Sequence, residues 1–154
     1  MMAKSWIDVS YGVHNDCRSH TGGVMSWGLS VLLTKYQKQK LNTKSSTEGE
    51  IVGLSDYMPN IIWARMFLDA QGYTLKENIV YQDNMSAMKI AKNGKMSSGQ
   101  KTKHMNNRYF WIKDRVKSEG ITVQLPNRKN DSGFLCETST RIFVLKVQRC
   151  YTWV

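Results

Sequence analysis

The sequence lacks several features that would fix a function class at once. It holds only three cysteines, Cys17, Cys136 and Cys150. The number is odd, and no CxxC or Cys/His spacing surrounds them. That argues against a disulfide framework or a zinc site and suits a reducing, intracellular compartment. No stretch is long and apolar enough to span a bilayer, and the opening MMAKSW has no signal-peptide core. The expectation is therefore an unsecreted chain with no membrane partner. No internal repeat is present. Acids are scarce as well: 12 Asp and Glu stand against 22 Lys and Arg, giving a net charge of +10. Such an excess points to a polyanionic partner, most often nucleic acid, with plain solubility as the bland alternative. What is there is a hydrophobic content of 41% over 154 residues. That is enough for one compact core and too much for wholesale disorder.

Along the chain, KSWIDVSYG alternates, with Ile7, Val9 and Tyr11 on one side and Trp6, Asp8 and Ser10 on the other. It reads as a strand. TGGVMSWG and SVLLTKYQKQK read as two more, joined by Gly28 and Leu29, so an antiparallel meander is expected. The period then changes: Ile51, Leu54, Tyr57, Met58 and Ile61 recur at helical spacing up to Gly72, a C-cap candidate. Pro59 lies inside this stretch and predicts a kink or two abutting helices. NIVYQD is a short strand, NMSAMKIAKNGK a short helix, SSGQKTK a polar loop, HMNNRYFWIKDRVKSEG a helix and ITVQLP a last strand. The order β-β-β-α-β-α-α-β implies an α/β fold with a mixed five-stranded sheet.

Three acids stand where chemistry is plausible. Asp8 sits inside the first strand, where Asp is disfavoured. Glu48 or Glu50 opens the first helix, and Asp83 ends the fourth strand. Each alone reads most simply as a surface cap. Together they form an oxygen donor set of the kind hard cations such as Mg²⁺ require, and two such ions can activate a water and steady a leaving phosphate oxygen. SSTE at Ser45–Glu48 fits a capping box, which gives Glu48 a structural role. At about 100° per residue, Glu50 lies roughly 45° from the centre of the apolar stripe and Glu48 about 115° away. Glu50 is therefore the candidate. Between Lys89 and Lys117 there are nine Lys and Arg and one acid, Asp114, interrupted by Tyr109, Phe110 and Trp111. The aromatics read as core. The charges read equally as a solvated helix face or as phosphate contacts, with Asn84, Lys101, Lys103 and Arg108 as nucleic-acid-binding candidates. His14, His20 and His104 read as structural or surface groups.

WIDVSYG, RSHTGG, KQKLNTKSSTEGEIVGLSD, YQDNMSAMKIAKN and KTKHMNNRYFWIKD together resemble the ribonuclease H domain of copia-type LTR retrotransposon Pol polyproteins, over roughly residues 5–126. The resemblance implies a ribonuclease H-like fold, normally fused to a reverse transcriptase. It further implies Mg²⁺- or Mn²⁺-dependent hydrolysis of RNA in RNA–DNA hybrids, with two ions held by catalytic acids at Asp8, Glu50 and Asp83. The chain departs from the family pattern in three places. Asn106 stands where an Asp is expected, Met85 replaces a common Gln, and the final segment resembling PTEKMIADFFTKPLQG, which carries a fourth catalytic Asp, is absent.

That segment can be hidden in the tail. Codons can be chosen for NRKNDSGFLCETSTR that, read one nucleotide later, give T-E-K-M-I-A-D-F-F-A-K-P-L-Q. The expectation is a ribonuclease H-like domain over 1–126 and an aberrant, out-of-frame, poorly packed tail over 127–154. The fourth Asp then falls at Gly133, with Asp131 a weak substitute. A carboxylate about 4 Å from a unit positive charge is worth on the order of 4 kcal/mol at an effective dielectric of 20, or roughly three decades of rate. The sequence thus supports an impaired nuclease, with a non-catalytic remnant that at most binds nucleic acid as the alternative.

Overall fold

In the computed structural model, which describes residues 1–28, 30–93 and 103–126, eight elements follow the expected order. They are β1 (Met2–Ser10), β2 (His20–Trp27), β3 (Ser30–Lys38), α1 (Ser46–Ala70), β4 (Glu77–Tyr81), α2 (Met85–Asn93), α3 (Lys103–Ser118) and β5 (Ile121–Gln124). The strands form one sheet in the order β3-β2-β1-β4-β5. β1, β2 and β3 pair antiparallel, and β4 and β5 run parallel to β1. Gly28, at φ +62°, turns the chain between β2 and β3, using the left-handed conformation that glycine adopts without penalty. Leu29, expected beside it, lies outside the described residues. So do the polar loop up to Thr102 and the tail, residues 127–154.

Ser45 caps α1: its hydroxyl accepts from Glu48 N–H at 3.2 Å. The expected reciprocal bond differs by one residue. Glu48 Oε2 accepts from Lys44 N–H at 2.8 Å, so the carboxylate reaches past the cap and closes the turn before it. The other end follows the expected pattern. Gly72, at φ +81°, lets Gly72 N–H and Tyr73 N–H fold back onto Asp69 O and Leu68 O, each at 3.0 Å. Pro59 does not divide the stretch into two helices. It sits exposed inside a single helix of 25 residues, and lacking an N–H it leaves the carbonyl of Ser55 without its usual donor while the helix continues.

Alternation in β1 buries Ala3, Ser5 and Ile7, and this face of the sheet receives α1. Tyr11 is not part of the strand. It follows in the turn, and its hydroxyl donates to Thr43 O at 3.1 Å. α1 supplies Ile51, Leu54, Tyr57, Met58 and Ile61 to the core, against which α2 places Ala87 and Ile90 and α3 places Tyr109 and Ile112. Of the three consecutive aromatics in α3, only Tyr109 is buried; Phe110 and Trp111 are exposed. Successive helix residues point about 100° apart, so three in a row cannot share one face.

Candidate metal centre

The parallel pairing of β1 with β4 brings two of the acids together. Trp6 lies beside Tyr81 in that register. Carried two residues further along each chain, it sets Asp8 toward Asp83, just past the point where β4 ends. Parallel neighbours are about 4.8 Å apart, so side chains here are within reach of a shared ion. The third acid arrives from α1. Gly53 allows the helix to lie close on β1, since a Cβ there would come 2.6 Å from Val9 Cγ2. Glu50, one turn earlier, is thereby carried to the carboxyl ends of β1 and β4.

The outcome is a cluster in which one carboxylate oxygen from each of Asp8, Glu50 and Asp83 lies within 4.8 Å of the others. Asp8 is half-buried, Glu50 is 5% exposed and Asp83 is exposed. Asp8 Oδ1 accepts from Val9 N–H at 2.9 Å. Glu50 Oε2 accepts from Gln82 Nε2 at 3.1 Å. Burial pushes the Glu50 carboxyl up to about 8 from its ordinary 4.5. The charges of Asp8 and Asp83 add to the rise, and the bonds from Gln82 and the Val9 backbone oppose it. Three carboxylates, one of them buried, make a hard, anionic donor set that fits a divalent cation such as Mg²⁺ or Mn²⁺.

Across the sheet, Asp8 pairs with Gly22 and Gly22 with Tyr36, so Tyr36 and Asp8 share a face with no side chain between them. Burial, and secondarily the Asp8 charge, raise the Tyr36 phenol to about 12. His14 and His20 pair with each other, Nε2 to Nδ1 at 3.1 Å, and no carboxylate joins them among the described metal-binding groups.

Of the candidate nucleic-acid contacts, Asn84 and Arg108 are the ones whose side chains the structure describes. Asn84 Oδ1 caps α2, accepting from Ser86 and Ala87 N–H at 3.0 Å each. Arg108 Nη1 pairs with Asp56 Oδ1 at 2.7 Å and ties α3 to α1. Lys101 lies outside the described residues, as do the side chains of Lys103 and His104. The sequence reading missed Gln82, which is 1% exposed and bonded to the cluster. The only available signal was its position before Asp83.

No family model matches the chain. It is 30% identical over 122 residues, 79% of its length, to the retrovirus-related Pol polyprotein from transposon TNT 1-94 of Nicotiana tabacum. It spans 8% of the length of that curated relative. Among solved structures, it is similar to the prototype foamy virus protease–reverse transcriptase, with TM-score 0.63 and 13% identity, over 99% of this chain and 21% of that one. It is also similar to LC11-RNase H1, isolated from compost by a metagenomic approach, with TM-score 0.57 and 13% identity over 85% and 88% of the two chains. A structure of that protein in complex with an RNA/DNA hybrid matches with TM-score 0.58 and 12% identity, over 82% and 86%.

Proposed function

Because this chain is a ribonuclease H-like domain related in sequence to a retrotransposon Pol polyprotein, we propose that it hydrolyses the RNA strand of an RNA–DNA hybrid with divalent cations held by Asp8, Glu50 and Asp83. The observation that carries this reading is the convergence of three acids, from two strand ends and a helix, with their oxygens within 4.8 Å of one another. Bound there, Mg²⁺ or Mn²⁺, two ions in the family mechanism, would supply a nucleophile at neutral pH and neutralise charge developing on the phosphate. The chain's own part is to fix the donors. β1 and β4 hold Asp8 and Asp83 in register, and α1 delivers Glu50 from the buried side. The net charge of +10 draws the polyanion in, and 2′-hydroxyls distinguish RNA from DNA.

The reading includes fusion to a reverse transcriptase in a longer polyprotein and an intracellular site of action, in keeping with cysteines that have no pairing pattern. Among the described residues, no helix is long and apolar enough to cross a membrane. The assignment of residues 1–126 to the domain and 127–154 to an out-of-frame tail also belongs to this proposal. It makes the activity weak, because the fourth acid of the family pattern falls at Gly133, outside the described residues. The gene sequence decides this last point: neighbouring-frame codons that do not read ADFF would remove it.

Folded protein given a labelled RNA–DNA hybrid with Mg²⁺, and separately with Mn²⁺, is expected to cut the RNA strand, and Asp8→Asn is expected to abolish the product. Absence of product with both metals would favour a remnant that only binds nucleic acid. Activity surviving in Asp8→Asn would assign the cut to another site.

A further inference from the structure

Gln82 is placed by two independent constraints. Its backbone N–H donates to Gln124 O at 3.0 Å, so β5 fixes the point from which the side chain starts. Its carboxamide then spans the acid cluster: Nε2 donates to Glu50 Oε2 at 3.1 Å, and Oε1 accepts from Asp83 N–H at 3.1 Å. Rotating the amide by half a turn would set its oxygen against a carboxylate and its NH₂ against an N–H. The contact with Asp83 N–H would become repulsive whatever the protonation of Glu50, and so would that with an ionised Glu50, so the chemistry favours one orientation. Several other side-chain types fail the same demands. A hydroxyl is too short to span both groups, and Asp or Glu would add a fourth negative charge where three already lie within 4.8 Å. Methionine has the length and neither bond. A side chain 1% exposed must have its polar atoms satisfied, and here both are satisfied by the residues that carry the cluster.

We propose that Gln82 is a positioning residue that links the Glu50 carboxylate to the Asp83 backbone and holds the two acids at the separation a divalent cation requires. The inference rests on the metal-binding reading above and deepens it. Partners of this kind behind metal ligands are commonly worth ten- to a hundredfold in affinity. A purely structural amide would instead lower the stability of the fold and leave the affinity of the folded molecules unchanged.

The test is calorimetric titration of Mn²⁺ into the full chain as wild type, Gln82→Met and Gln82→Asn, with thermal unfolding in EDTA run alongside to establish that each variant is folded. Gln82→Met keeps the length and loses both bonds, whereas Gln82→Asn keeps the amide and loses the reach. Both are expected to bind Mn²⁺ ten- to a hundredfold more weakly. In a Glu50→Gln background, Gln82→Met is expected to cost little more, because the link it breaks is already altered. Affinity within twofold of wild type in either folded variant overturns the positioning role and leaves the metal reading standing. A wild type that takes up no Mn²⁺ overturns both.

Discussion

At Glu50 a carboxylate only 5% exposed stands beside two further acids, and in the metal-free protein a bound proton makes that arrangement tolerable. Burial leads the rise of its pKa to about 8. The unfolded chain releases this proton near its ordinary value of 4.5, and the folded chain holds it until about 8. Across that window the folded state binds more protons, so stability falls as pH rises. The metal-free protein should be most stable below about pH 4.5, as far as this group is concerned, and lose on the order of a few kcal/mol by pH 8. Glu50→Gln should flatten that decline in urea unfolding followed from pH 5 to 8. A cation reverses the preference, since it favours the carboxylate. Mg²⁺ uptake near pH 7 should therefore release close to one proton. Calorimetry in buffers of different ionisation enthalpy reads this directly, and a heat independent of buffer would mean that Glu50 enters the complex already ionised. Helical phase singled out Glu50 over Glu48 from the sequence because the two differ by about 200° around α1. Gln82 could not be found in that way. Its role exists only because a helix some 30 residues earlier crosses the end of β4.

The close approach of α1 to β1 is an element-scale property, and two glycines report on it differently. At Gly49 an added Cβ would stand 3.4 Å from Thr43 Oγ1 and Val9 Cγ1, an ordinary contact. At Gly53 it would stand 2.6 Å from Val9 Cγ2 and 3.2 Å from Thr21. Gly49→Ala should therefore stabilise the protein by about 0.5–1 kcal/mol through helix propensity. Gly53→Ala should destabilise it by about 1–3 kcal/mol through overpacking, and should also weaken metal binding by moving α1, and Glu50 with it, off the strand. Chemical denaturation of both variants measures the first pair of effects. Equal stability would mean that the helix slides freely on the sheet. Strand and helix identities were legible in the sequence because the periods are strong: Ile7 and Val9 alternate with Trp6 and Asp8, and Ile51, Leu54, Tyr57, Met58 and Ile61 repeat as a helix. The continuity of α1 through Pro59 was not legible. Local preference argues for a break there, and packing of Tyr57, Met58 and Ile61 on both sides of the proline overrides it. The aromatic run in α3 was read as core as a whole, although its helical phase already limited burial to Tyr109.

For the whole molecule, the sum of charges and their placement act in opposite directions. The chain carries +10, which attracts any polyanion, yet it gathers three acids at the carboxyl ends of β1 and β4, which repel a phosphate unless a cation lies between. The first property was legible from composition. The second was expected from the placement of Asp8, Glu50 and Asp83 and from the family resemblance; what left no local trace was the parallel β1–β4 register that delivers it, which pairs residues about 75 apart. The two properties separate a basic surface that binds anywhere from a hybrid seated over the acids. In EDTA no cation screens the cluster, and removing one carboxylate charge about 5 Å from a phosphate is worth roughly 0.8 kcal/mol in water, or about fourfold in affinity. Asp8→Asn should therefore bind a fluorescent RNA–DNA hybrid two- to fivefold more tightly than wild type in EDTA, by anisotropy at low salt. The gain should shrink as salt rises, because screening at 0.15 M already acts over about 8 Å. A hybrid bound on a distant basic face would not respond to Asp8, and equal affinity of the two proteins in EDTA would place the nucleic acid away from the acids.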